Sequence, residues 1–209
     1  MRKLELSTWD RREIFGFFDN ISNPFYSVTF NQDVTKLKKY TKQKGLSFYY
    51  ALVWLCTEAV NSIPEFMIAS ENGELVVYDR REPSFTDMNP GETCFHITTM
   101  PAGDNIDDFC RCALENSRNQ KVFIDSAKET DELIYFSCLP WLDITGLTNE
   151  RHFDPLDSVP RIAWGKYTEC GGCFKLGMSV EVNHKFIDGY HIGKFHEKLT
   201  QLIENLEIE

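Results

Sequence analysis

The sequence predicts a mixed α/β fold, a largely antiparallel sheet with helices packed on it, in one domain spanning residues 1–209. Three observations carry that expectation. Strand-like runs meet across short Gly-containing turns at Glu71-Asn72-Gly73 and Gly171-Gly172, and such turns join antiparallel strands. Helical stretches stand between them, one of them apolar on nearly every side over residues 47–62, as a helix covered by other elements would be. No linker, repeat or low-complexity tract interrupts the 209 residues, a length that a single core can serve.

The elements follow in order. Residues 8–18 begin at a Ser7-Thr8 capping signal and place Trp9, Ile14, Phe17 and Phe18 near one face of a short helix. Residues 25–30 alternate as a strand. The apolar helix over 47–62 starts at a Ser47 cap. Strands near 66–69 and 75–78 flank the Asn72-Gly73 turn, and 84–87 and 94–99 continue the β pattern. From about 104 to 117, Ile106, Phe109, Cys110, Ala113 and Leu114 recur at the spacing of an amphipathic helix. Residues 133–139 form a buried-strand pattern, and 161–168 pairs with 174–183 through the Gly-Gly turn. A last helix carries Ile192, Phe195, Leu199, Leu202, Ile203 and Leu206 on one stripe, so the chain closes on a docked helix.

A formal net charge of -10 argues against a nucleic-acid partner, because tracking phosphates needs clustered Lys and Arg. A small anionic group could still be held by a few local cations. No apolar stretch of signal-peptide length follows Met1 and no 18-residue apolar run occurs, which predicts a cytoplasmic protein with no membrane partner. The seven cysteines read as small core residues in a reducing compartment. Cys170-Gly171-Gly172-Cys173 has C-x-x-C spacing but no second pair and no helix N-terminus to stabilise a thiolate, so no metal is expected. His96, His152, His191 and His196 fall in no ligand cluster and read as surface or packing residues.

The informative segment runs from Glu181 to His191. His184 ends a long strand, and four residues on Asp188-Gly189 opens the final helix. An imidazole held between rigid elements, with an ordinary pKa of about 6.5, can take up a hydroxyl proton near neutral pH. The same pattern is also what a strand-end histidine beside an N-cap aspartate looks like.

The segment resembles the active-site signature of the chloramphenicol acetyltransferase family, H-x-x-x-D-G after a strand near the C-terminus. Further stretches match in order: Trp9 to Phe15, Asn61 to Phe66, Gly73 to Asp79, Pro140-Trp141 and Gly165-Lys166-Tyr167. The resemblance covers essentially the whole chain. It implies the CoA-dependent acyltransferase fold and a homotrimer with active sites at subunit interfaces. His184 of one subunit, as general base, would face an acceptor pocket built largely by its neighbour. Acetyl-CoA would be the co-substrate, entering from the opposite side, and the acceptor a small alcohol that is acetylated directly, as in antibiotic resistance. Arg11 and Asp188 would form an ion pair that holds the site's geometry, Lys166 and Tyr167 would meet the adenosine end of CoA, and Phe17, Phe18 and Ile144 would line the acceptor pocket.

Departures accompany the resemblance. Gly146 stands where the pattern places an oxyanion-stabilising serine, so Thr145, Thr148, a backbone N–H or water would have to serve. Phe18, Asn183 and Ala163 replace a tyrosine, a histidine and a threonine. They change the polar lining and point away from chloramphenicol as the natural acceptor. A catalytically weak or inactive relative that binds a small aromatic ligand is the other expectation.

Overall fold

A computed structural model of the chain describes residues 1–208. The main sheet has seven strands, β2 (Phe25–Asp33), β5 (Glu82–Asp87), β6 (His96–Thr99), β7 (Leu133–Leu139), β8 (Arg161–Gly165), β9 (Thr168–Cys170) and β10 (Cys173–Asn183). Their order is β2-β10-β8-β7-β5-β6, with β9 paired onto β10. The β5–β7 and β7–β8 pairs are parallel and the others antiparallel. A second sheet orders β1 (Arg2–Lys3), β4 (Glu74–Val77) and β3 (Ile68–Glu71). The mixed, mostly antiparallel architecture read from the sequence is the one observed.

Both predicted turns form. Asn72 and Gly73 take φ of 51° and 79° between β3 and β4, and Gly171 and Gly172 take 61° and 83° between β9 and β10. Two consecutive residues with positive φ match the right-handed twist of a hairpin.

The helices are α1 (Arg12–Asp19), α2 (Thr35–Lys44), α3 (Phe48–Asn61), α4 (Ile106–Asn119) and α5 (Gly189–Glu204). The Ser47 hydroxyl caps α3 by accepting from Tyr50 N at 3.4 Å, and Asn105 caps α4. Nine residues of α3 are buried, as its all-round apolarity requires. They join Ile134, Phe136, Ile162, Trp164, Met178, Val180 and Val182 from one face of the sheet in a common core.

Four readings need correction. The first helix starts at Arg12, not at Ser7-Thr8, because Leu6–Thr8 forms its own short 3-10 turn and the Thr8 hydroxyl donates to Glu5 O. The sequence reading missed α2, whose Lys-rich surface hides a minimal inner face of Leu37, Tyr40 and Thr41. The strand read over 161–168 breaks after Gly165 into β8 and β9. The cysteine reading holds only for Cys56 and Cys110, since Cys94, Cys112 and Cys170 are exposed, and all seven are free.

The second face of β10 is covered by the connection between β7 and β8. Gly177 and Gly165 exist because of it: a Cβ at Gly177 would sit 2.1 Å from Ile144 O, and one at Gly165 2.5 Å from Leu142 O. Farther along, Ser179 Oγ donates to Leu147 O at 2.9 Å, and Glu181 accepts from Asn149 N at 2.9 Å and pairs with Arg151. The fully buried Arg81 knits the pieces together, donating to the carbonyls of Phe66, Asp131, Leu133 and Ile68 and to the Ser158 hydroxyl. Among the described residues no helix is long and apolar enough to cross a membrane, and no cluster of three or more His, Cys, Asp or Glu side chains suits a metal.

Candidate active site

β10 hands the chain to α5 through a tight turn. Phe186 N and Ile187 N both donate to Asn183 O, at 3.1 and 3.0 Å, while the Asn183 side chain holds the carbonyls of Pro155 and Asp157 at 3.0 Å each. The asparagine that departs from the family pattern is therefore a fastener for the covering loop. Within the turn, His184 N donates to Pro24 O at 2.8 Å.

The His184 ring lies between two others. Phe18 stacks on it with centroids 4.2 Å apart and Tyr26 with centroids 4.3 Å apart, both within 30° of parallel. Tyr26 was not foreseen, since an aromatic residue on an alternating strand carries no signal of which ring it will face. Burial lowers the His184 pKa below its ordinary 6.5, and Arg11 adds to this against the opposing charge of Asp188. Neutral imidazole is the form the cage favours.

Two ion pairs bracket that ring, one at each end of α1. Arg11 Nη1 donates to Asp188 Oδ2 at 2.6 Å with both side chains largely buried. Lys185 Nζ, on a residue only 1% exposed, donates to Asp19 Oδ1 at 2.6 Å. Asp188 also caps α5, accepting from Tyr190 N at 3.0 Å, and its own N–H donates to His191 Nδ1 at 3.1 Å. Burial opposes the charge on Asp188, yet Arg11, His191 and the Tyr190 N–H outweigh it and hold the carboxyl below its ordinary pKa. His191, read as packing, is buried and closes this cap. Asp188→Asn keeps a capping oxygen but leaves Arg11 without its anion. The expected result is a loss of about 2 kcal/mol in stability by urea denaturation, with the His184 pKa moving further down in an NMR titration. Unchanged stability would show the pair to be incidental.

A cavity of ligand size lies elsewhere. It has a volume of about 620 Å³, the size of a small-molecule pocket, and is walled by the start of α3, the end of α4, the segment from Thr86 to Phe95, and Ser137 to Trp141. Thr86, Asp87, Ser137 and Cys138 mark it as sitting at the C-terminal ends of the parallel strands β5 and β7, where open sheets commonly bind ligands. Strand register fixes its relation to His184. Cys138, Trp164 and Met178 share one row across β7, β8 and β10, and His184 lies six residues beyond Met178, about 20 Å along the strands at the usual rise. His184 and the cavity stand at opposite ends of one chain's sheet.

The other expected site residues divide accordingly. Phe18 contacts His184, and Phe17 lies beside Phe18 with 65% of its surface exposed. Ile144 goes to neither place, being seated over Gly165 and Gly177. Thr145, Gly146 and Thr148 are exposed and do not line the cavity. Among the serines in its wall, Ser137 accepts from Thr86 Oγ1 at 3.4 Å and so keeps its own proton to donate. A polar residue inside the apolar strand β7, three residues before Pro140, was the missed signal. Lys166 and Tyr167 follow the end of β8, on the cavity side of the sheet. Lys166 is exposed, whereas the Tyr167 ring packs on Phe48 and Phe174, with Lys38 Nζ 4.7 Å from its centre.

Comparison with known proteins agrees with the fold. Residues 1–200 match the family model described as chloramphenicol acetyltransferase. A chloramphenicol acetyltransferase of Clostridium perfringens is 30% identical over 208 residues, covering 98% of this chain and 95% of the relative. Chloramphenicol acetyltransferase 3 of Escherichia coli is 28% identical over 204 residues, covering 96% and 95%. A solved chloramphenicol acetyltransferase structure superposes with a TM-score of 0.89 over 97% of this chain and all of the other, at 24% identity. The Azotobacter vinelandii dihydrolipoamide acetyltransferase shares the fold at a TM-score of 0.65 and 14% identity, covering 92% of this chain and 86% of that one. With the match running from Met1 to residue 200, the chain belongs to the chloramphenicol acetyltransferase family.

Proposed function

We propose that the protein transfers the acetyl group of acetyl-CoA to a hydroxyl of a small acceptor, at sites shared between copies of the chain in a homotrimer. The observation that carries this reading is the separation of His184 from the cavity along β10, by about 20 Å. A base and a pocket so far apart act together only when a second copy brings its His184 to the first copy's cavity. Exposed rings flank both halves, Phe17 beside the histidine and Phe95 and Trp141 at the cavity, at 65%, 51% and 70% exposure. Such rings mark surfaces that association covers.

The chemistry follows from the parts. Neutral His184 takes the proton of the acceptor hydroxyl as its oxygen attacks the thioester carbonyl. The C=O electron pair moves onto oxygen, and the Ser137 hydroxyl donates to that oxyanion. Collapse of the intermediate breaks the C–S bond, and the CoA thiolate receives the proton from His184. No acetyl-enzyme forms. Arg11, Asp188, Lys185 and Asp19 fix the imidazole without touching reactants, and Lys166 and Tyr167 remain the candidates for the adenosine end of CoA. Ser137 is the candidate for the donor that Gly146 cannot supply.

Thiol release from acetyl-CoA against chloramphenicol and a panel of hydroxyl compounds tests the reading, together with the mass of the particle in solution. A monomer, or no release with any acceptor, would sink it. The pH profile is a second check. Because burial holds the His184 pKa below 6.5, the active neutral form persists down to that pH. The expected kcat/KM profile has its acidic midpoint below pH 6.5. A midpoint above 6.5 would assign the base elsewhere.

A further inference from the structure

We infer that the acceptor cavity selects cationic ligands, small alcohols that carry an ammonium group, through the Asp87 carboxylate and the aromatic rings around it. This rests on the acetyl-transfer reading only for the identity of the ligand as acceptor; the cavity and its charge stand without it.

Asp87 ends β5 and lines the cavity. Its Oδ2 accepts from the hydroxyls of Tyr50 and Ser117, the latter at 2.6 Å, and its Oδ1 accepts from Met88 N at 2.7 Å. Ser117 is itself buried and bonded to the buried His96, with Nε2 2.9 Å from its Oγ. This network grips the carboxylate from behind, so its position in the wall is fixed rather than adaptable. Three of the roughly four lone-pair positions of a carboxylate are used. The fourth, on Oδ1, takes no donor among the described residues.

All of these partners are neutral donors, and among the described residues no cation forms an ion pair with the charge. Arg118 borders the same cavity, but it is exposed and forms no ion pair with Asp87. A fixed anion in a wall otherwise rich in rings disfavours anionic and carbonyl-rich ligands and favours a positive group. Tyr49, Tyr50, Phe95 and Trp141 supply the rings. Aromatic faces beside a carboxylate are the usual means of holding an ammonium ion. The cationic group and the reacting hydroxyl would sit on one small frame, the first at Asp87 and the second nearer Ser137.

The test uses matched pairs of alcohols on one aromatic frame, an amino alcohol protonated at pH 7 and its uncharged desamino counterpart, with acetyl-CoA and thiol release as readout. The expected result is a kcat/KM at least about tenfold higher for the cation, and an Asp87→Asn variant in which the ratio of the two falls by about tenfold or more. Equal or better use of the neutral alcohol by the wild type, or an unchanged ratio in the variant, overturns the inference. Should Asp87→Asn fail to fold, the wild type alone decides. A trimethylammonium ligand is compared with its tert-butyl isostere for binding by calorimetry, and the inference requires the cation to bind at least about tenfold more tightly. Tight cation binding without turnover of any alcohol would uphold the cavity's charge selectivity and defeat the acetyl-transfer reading, so the two failures are distinguishable.

Discussion

His184→Ala is expected to lower turnover by about 10³ or more at pH 7.5 while leaving the fold intact, since loss of a positioned base costs about 10² to 10⁴ in rate. The ring contributes packing against Phe18 and Tyr26, so a small loss of thermal stability should accompany the change. Ser137→Ala, at the other end of the sheet, should reduce turnover by about 10² to 10³ if its hydroxyl meets the oxyanion. The decisive result comes from mixing. Two inactive variants, unfolded and reassembled together, should regain roughly a quarter of the wild-type sites by random assortment, because some interfaces then combine an intact histidine with an intact cavity. No recovery in verified mixed trimers would mean that both groups act within one chain, contrary to their spacing.

Arg81→Ala should produce the largest loss of stability, about 4 kcal/mol, read as a fall of about 10 °C in Tm. Five acceptors converge on its guanidinium: four backbone carbonyls and the Ser158 hydroxyl. Burial lowers its pKa to about 10, which leaves it charged at neutral pH. Truncation orphans these buried carbonyls, each costing about 1 kcal/mol or more. Arg81→Lys should rescue little, because an ammonium cannot reach acceptors spread around a planar fork. Retention of full stability in either variant would show that the surrounding segments are held by packing alone.

Most of this architecture was legible because local and global signals agreed. Residues 47–62 looked covered on every side and are covered, and the Asn72-Gly73 and Gly171-Gly172 turns dictated their hairpins. Where the two levels diverged, reading failed. α2 is held by three inward side chains on a strongly basic helix, and no periodicity survives so few apolar positions. At the site, the spacing from His184 to Asp188 and the early Arg11 were readable because they form one motif and its partner. The Phe18 and Tyr26 cage, the Lys185–Asp19 pair and the Ser137 wall depend on which elements meet in space. The oxyanion donor was sought beyond Trp141, in a loop that turned out to follow β10 instead, with its threonine side chains in solvent.

The distance between the Phe18–Tyr26 cage and the Asp87–Ser137 wall bears on how the protein could change over time. The two regions share no side chain within a copy and lie far outside the range at which substitutions influence one another energetically. Changes at Asp87 and in the cage should therefore add in their cost to the folding of one copy, yet couple in turnover, because across the proposed interface both face the same substrate. A fold so partitioned can absorb change in either half without unfolding the other.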